Sequence, residues 1–302
     1  MAGAMILMRR SDSRLRSLYC IWACRCCAFY LAVSLSFIGV PVVARSAGVQ
    51  SIKPPAGRLI WLFAGSGLTR LAPFSAGRRL LHGVLNSRNT WVFGKSRVVP
   101  LNATVVCGGA SVAAVIRAAK SGDCRGVVLD VEHWRFTPAA QQRDPVGAYR
   151  RTGLALKARG DFLIATPAFD LVRALEPRYH GPMYPEFIRL KLAEKIAPYA
   201  AVYEIQAQGA EANLPLYRRT VRAIARQVHA ANPHALILAG LTTSGQNGGT
   251  VNIHELYRAV AATRNLVNGY WLNIPAKGPY CPRCGKPDPQ LAIALLDRIY
   301  GR

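Results

Sequence analysis

From residue 58 onward, short apolar runs alternate with longer segments whose apolar positions recur at helical spacing. LIWLFAG (59–65) precedes a helical stretch around 75–85, ATVVCGG (103–109) precedes SVAAVIRAAKSG, and GVVLDVE (126–132) precedes DPVGAYRRTGLALKARG. FLIATPA (162–168), AVYEIQAQ (201–208), ALILAGLTT (235–243) and NGYWLNIP (268–275) are each followed by a further amphipathic segment, the last being PQLAIALLDRIYG. This order predicts parallel strands joined by right-handed helical crossovers. An eighth strand, TWVFG (90–94) or a degenerate one between 168 and 200, would close a barrel; the alternative is an open doubly wound sheet. AGSGLTRLA argues against the open sheet, because Gly65 and Gly67 lack the third glycine of a dinucleotide fingerprint. The expected fold is therefore α/β, a (β/α)8 TIM-type barrel in a single domain over residues 58–302, about 245 residues being an ordinary size for one.

The chain before that domain has a different texture. MRRSDSRLR is basic, AFYLAVSLSFIGVPVVA (28–44) is apolar, and small residues follow, the order of a secretory signal with cleavage near Ala44. An uncleaved membrane anchor is the alternative, since residues 28–44 fall a little short of a spanning length. Residues 1–44 are thus expected to be a signal peptide or anchor, and residues 45–57, with Pro54, Pro55 and Gly57, a linker. The bulk of the chain would then be secreted or extracytoplasmic, in one version tethered to a membrane through residues 28–44.

Hydrophobic residues make up 51% of the chain and charged ones 18%, which excludes general disorder. Lys and Arg outnumber Asp and Glu by 39 to 15, giving a formal charge of +24. Such a field attracts anionic partners, here an anionic cell-surface polymer. Nucleic acid is not expected as a partner, because the basic residues are dispersed and no recognised binding motif is present.

Strand parity locates the candidate chemistry. Side chains two apart share a face, so Val128, Asp130 and Glu132 lie on one side of their strand and Val127, Leu129 and Val131 on the other. Glu204, Gln206 and Gln208 share a face at the end of AVYEIQAQ, as do Trp271 and Asn273 in NGYWLNIP, and Thr242 and Thr243 end ALILAGLTT. In a barrel these positions converge on the C-terminal mouth, where sites are built. Two carboxyls held together raise the pKa of one, which makes a general acid, and tryptophan stacks on sugar faces. A carbohydrate site follows, with Glu132 as acid, Asp130 as its partner and Glu204 as a second carboxylate. Gln206, Gln208, Trp271, Asn273, Thr242, His133 and Trp134 are the substrate-binding candidates. Against this stands the plain alternative that Asp130 caps a helix or pairs with an arginine while Glu132 is solvated.

The strand ending D-x-E, the aromatic beside it and the late tryptophan resemble the barrel of the chitinase-type glycoside hydrolases, whose strand motif is D-x-x-D-x-D-x-E. The resemblance implies that Glu132 donates the proton, that Asp130 orients the substrate's acetamide and that Trp271 floors the sugar pocket. The motif's earlier aspartates fall on Arg125 and Val128, and Tyr203, the match for a later tyrosine, faces away from Glu204. A different barrel glycosidase would use Glu132 as acid and Glu204 as nucleophile or base, the separation of the two deciding between retention and inversion. The mature chain as a whole is also similar to exported bacterial proteins without an assigned activity. The function expected is a glycoside hydrolase-like action on a polysaccharide. The alternative is a catalytically silent barrel that binds glycans or an anionic polymer.

No cofactor and no metal are expected. CPRCG (281–285) could supply half of a zinc site but has no second half with matching spacing, so one or two disulfides among Cys107, Cys124, Cys281 and Cys284 are expected instead, with the partner of Cys281 left open. SGQNGGT (244–250) lacks the lysine of a phosphate loop and reads as a flexible loop over the mouth. No serine stands in a G-x-S-x-G elbow.

Overall fold

The computed structural model describes residues 59–122, 124–245, 249–279 and 281–301. The expected signal or anchor, the linker and the middle of the 244–250 loop lie outside these. Eight parallel strands close in sequence order: β1 Ile60–Ala64, β2 Thr90–Phe93, β3 Thr104–Gly109, β4 Gly126–Leu129, β5 Phe162–Ala165, β6 Val202–Ile205, β7 Leu236–Thr242 and β8 Gly269–Asn273, with β8 returning to β1. The eighth strand is the one around TWVF, and no strand forms between 168 and 200.

Helices fill the crossovers, and several of the longer ones start at a polar cap. Ser111, Asn213 and Asp288 accept from the third residue of helices Val112–Lys120, Leu214–Ala231 and Pro289–Tyr300, and Asn252 forms a reciprocal capping box with Glu255. The amphipathic segment expected after FLIATPA (162–168) is broken into two short helices, Met183–Arg189 and Leu192–Ile196. The break falls at Lys191, whose φ of 53° is left-handed and interrupts the helical bond pattern. Among the described residues no helix is long and apolar enough to cross a membrane.

Two apolar layers follow from strand parity. Outward side chains such as Val127, Leu129, Tyr203, Ile237 and Leu272 pack under the helices, while Ile60, Leu62, Val106, Val128, Ile164, Val202 and Leu238 fill the barrel interior. Each such side chain contributes about 1.5–3 kcal/mol through burial. Trp91 and Phe162 close the lower interior at 5.9 Å between rings, and Phe93 meets Trp271 edge-on at 5.8 Å nearer the mouth.

Two disulfides form, Cys107–Cys124 and Cys281–Cys284. The first ties β3 to the segment entering β4, the strand that leads to Asp130. The second closes a short turn.

Candidate active site

Strand β4 ends at Leu129, so Asp130 and Glu132 stand just beyond it on a stretch that keeps its extended alternation. Backbone bonds hold it there: Asp130 N–H donates to Gly109 O at 3.0 Å, Thr166 N–H to Leu129 O at 3.1 Å and Ala168 N–H to Val131 O at 3.0 Å. Tyr149, buried on helix Pro145–Lys157, adds a peg. Its hydroxyl donates to Leu129 O at 3.1 Å and accepts from Val131 N–H at 3.4 Å. Val131 therefore points outward and Asp130 and Glu132 point inward, as parity requires.

Asp130 Oδ1 lies 3.1 Å from the Thr166 hydroxyl and accepts from Gln206 Nε2 at 2.8 Å, and the same amide donates to Thr166 O at 2.9 Å. The Glu132 carboxyl stands beside it, and the two interact. Burial pushes Asp130 up to about 6 against these stabilising bonds. Glu132 is pushed well above the usual carboxylate range by burial first, then by the charges of Asp130 and Asp170. Both carboxyls are thus pushed toward their protonated forms, and they titrate as a coupled pair.

The other interior side chains leave polar atoms without partners. Glu204 is fully buried with both carboxylate oxygens unpaired, and Gln208 Oε1 and Trp271 Nε1 are likewise buried and unpaired. Burial raises Glu204 well above its ordinary value and the charge of Asp130 adds to this. Gly240 on β7 makes room for these groups: a Cβ there would lie 2.0 Å from Gln208 Oε1 and 2.8 Å from Glu204 Oε1. Buried polar groups are ordinarily paired, so these three side chains with unpaired atoms set the upper interior apart.

The remaining expected residues are less central. Asn273 is half-buried opposite Thr242 in the β7–β8 register, and the Thr242 hydroxyl already accepts from Ser244 N–H at 3.1 Å. The His133 ring is exposed, while its backbone N–H donates to Asp170 Oδ1 at 2.9 Å. Trp134 is engaged with its own loop, donating to the Thr137 hydroxyl at 2.9 Å and meeting Phe136 edge-on at 5.0 Å.

Sequence reasoning did not single out Thr166, Asp170, Tyr149 or Glu211. Thr166 had a signal, since it continues the inward parity of Ile164. Asp170, in the turn Phe169–Leu171, had none; burial raises its carboxyl, and the His133 N–H and Arg173 oppose the rise. Glu211 is buried and accepts from Gly209 N–H and from Thr242 N–H at 2.8 Å, tying the loop after β6 to the end of β7. Burial pushes its carboxyl up to about 7.

Among solved structures the chain is similar to a chitinase from Chromobacterium violaceum (13% identity, covering 81% of this chain and all of that one, TM-score 0.47). It is also similar to triosephosphate isomerase from Bartonella henselae (11%, 81% and 100%, TM-score 0.45) and to bee venom hyaluronidase (10%, 80% and 96%, TM-score 0.43). These likenesses span hydrolases and an isomerase and concern the fold alone. No family model and no curated protein matches the sequence.

Proposed function

We propose that the barrel is a glycoside hydrolase that cuts a polysaccharide by carboxylate acid catalysis. The observation that carries this is the pair at the end of β4: two neighbouring inward carboxyls, Asp130 raised to about 6 by burial and Glu132 raised well above the usual carboxylate range by burial and by the charge of Asp130. Such a pair can divide the labour needed to cleave an acetal. Glu132 gives its proton to the glycosidic oxygen as the bond to the anomeric carbon breaks. Asp130 stabilises the positive charge that develops and, as the resemblance implies, orients an acetamide where the sugar carries one. Water then adds to the anomeric carbon and returns a proton to Glu132.

Glu204, raised by burial and with both oxygens unpaired, serves in this reading as a hydrogen-bond partner for the sugar and not as nucleophile or base. Gln206, Gln208, Asn273 and Trp271 hold the sugar, with Thr242, His133 and Trp134 toward the rim. Two disulfides support an extracytoplasmic location, with residues 28–44 as signal or tether.

Hydrolysis of chromogenic glycosides and wall polysaccharides, beside the Glu132→Gln variant, tests the proposal. Turnover that falls about 10²–10⁴-fold in the variant is expected. One feature favours a second reading, a silent glycan-binding barrel: Val128 stands where the chitinase-type motif has an acid, leaving Asp130 only neutral donors beside Glu132. Binding without turnover in both proteins would establish that reading and overturn the hydrolase.

A further inference from the structure

Helix Leu214–Ala231 follows β6 and so begins at the mouth of the barrel. Tyr217, Val221, Ile224 and Val228 anchor its inner side. On the opposite side, Arg218, Arg219, Arg222 and Arg226 fall within an arc of roughly 100° and line a shallow groove of about 430 Å³ with Pro215 and Ala223. No Asp or Glu occurs in the helix, and among the described residues none of the four arginines meets a carboxylate. Arg218–Arg222 and Arg222–Arg226 are like-charged pairs one turn apart, an arrangement that destabilises a helix unless something anionic covers it.

We propose that this face binds a linear acidic polysaccharide, its carboxylates seated on the arginine row. Arg218, Arg222 and Arg226 repeat about every 6 Å along about 12 Å of helix, a single file that suits a chain carrying one charge per sugar. Each guanidinium can grip a carboxylate through two parallel hydrogen bonds. The groove has no aromatic side chain to stack a base and no exposed large apolar residue to enter a bilayer, which sets the polysaccharide above nucleic acid and membrane. The proposal is independent of the hydrolase reading, because it needs binding and no turnover.

The test is binding of polygalacturonate by the full chain carrying Glu132→Gln, followed across a salt series. Combining Arg218→Gln, Arg222→Gln and Arg226→Gln should weaken binding at least tenfold and flatten the slope of log affinity on log salt by about two to three. The same charge removed elsewhere, by Arg117→Gln, Lys120→Gln and Arg150→Gln, should leave affinity within about twofold, since distant exposed charges are screened. The helix variant should melt no lower than its parent, which separates lost binding from lost folding. Equal weakening in both variants would assign the effect to net charge alone and overturn the proposal. So would tighter binding of duplex DNA, polyphosphate or phosphatidylglycerol vesicles than of polygalacturonate.

Discussion

The lower and upper halves of the barrel interior are built by the same strands with the same parity, yet they differ in chemistry. Below, Ile60, Leu62, Val106, Val128, Ile164, Val202 and Leu238 form a closed apolar plug. One inward step higher, Val128 gives way to Asp130, Ile164 to Thr166, Val202 to Glu204 and Leu238 to Gly240. The lower half leaves almost nothing unsatisfied, whereas the upper half leaves Glu204, Gln208 and Trp271 with buried polar atoms unpaired. The plug contributes stability, and the layer above gives some of it up by burying polar atoms that have no partner.

The strongest way to break this contrast is to move a carboxyl down one step. Val128→Asp restores the D-x-D-x-E spacing of the chitinase-type strand, but in this chain it sets the acid against Ile164, Val106 and the close backbone of Gly108, with no donor in the plug. Loss of about 4 kcal/mol of stability is expected, from lost packing together with an unpaired buried acid, measured by urea unfolding. Near-parental stability would mean that the lower interior tolerates polarity and that the division between halves is not physical.

Glu211 sharpens the contrast from within the upper half, because its buried carboxyl is satisfied by two backbone N–H groups. Its pKa of about 7 lies above the unfolded value near 4.5, so the folded state binds the extra proton between the two. Its contribution to stability is complete below about pH 4.5 and is lost as the pH rises to about 7, by about 3 kcal/mol. In Glu211→Gln the fall of stability over that window should be shallower by up to one proton, the remainder coming from Asp130, Glu132 and Glu204, which are raised in the same direction. An unchanged slope would show that Glu211 ionises freely in the folded chain.

How far the sequence reached follows from which interactions are periodic. The barrel and the inward aim of Asp130, Glu132, Glu204, Gln206 and Trp271 come from period-two alternation and strand–helix order, both local signals. The strand TWVF was visible but short, and the helix break at Lys191 was not, because a single left-handed lysine carries no residue-type signature. Tyr149, Asp170 and Glu211 act by reaching other elements across the fold, so nothing near them in the chain announces their partners. Trp134, next to the acids in sequence, was expected at the sugar, but its indole N–H found Thr137 within the same loop. Adjacency in sequence says little about aim once the strand has ended.

The smallest expected effect is also the most direct probe of what the upper layer is for. Glu204 is fully buried and has no partner for either oxygen, so its burial costs free energy that no bond within the protein returns. Glu204→Met keeps the volume and removes the polar atoms, and should stabilise the fold by about 1–3 kcal/mol in urea unfolding at pH 7. If the orphaned carboxyl exists to meet a sugar hydroxyl, the same substitution should weaken glycan binding about tenfold, the loss of roughly one hydrogen bond of about 1.4 kcal/mol. Stability and binding would then move in opposite directions at one residue, which is the signature of a group retained for its guest. If stability rises while binding is untouched, the upper layer's unpaired atoms have no part in holding the sugar, and the candidate site shrinks to Asp130, Glu132 and their immediate donors.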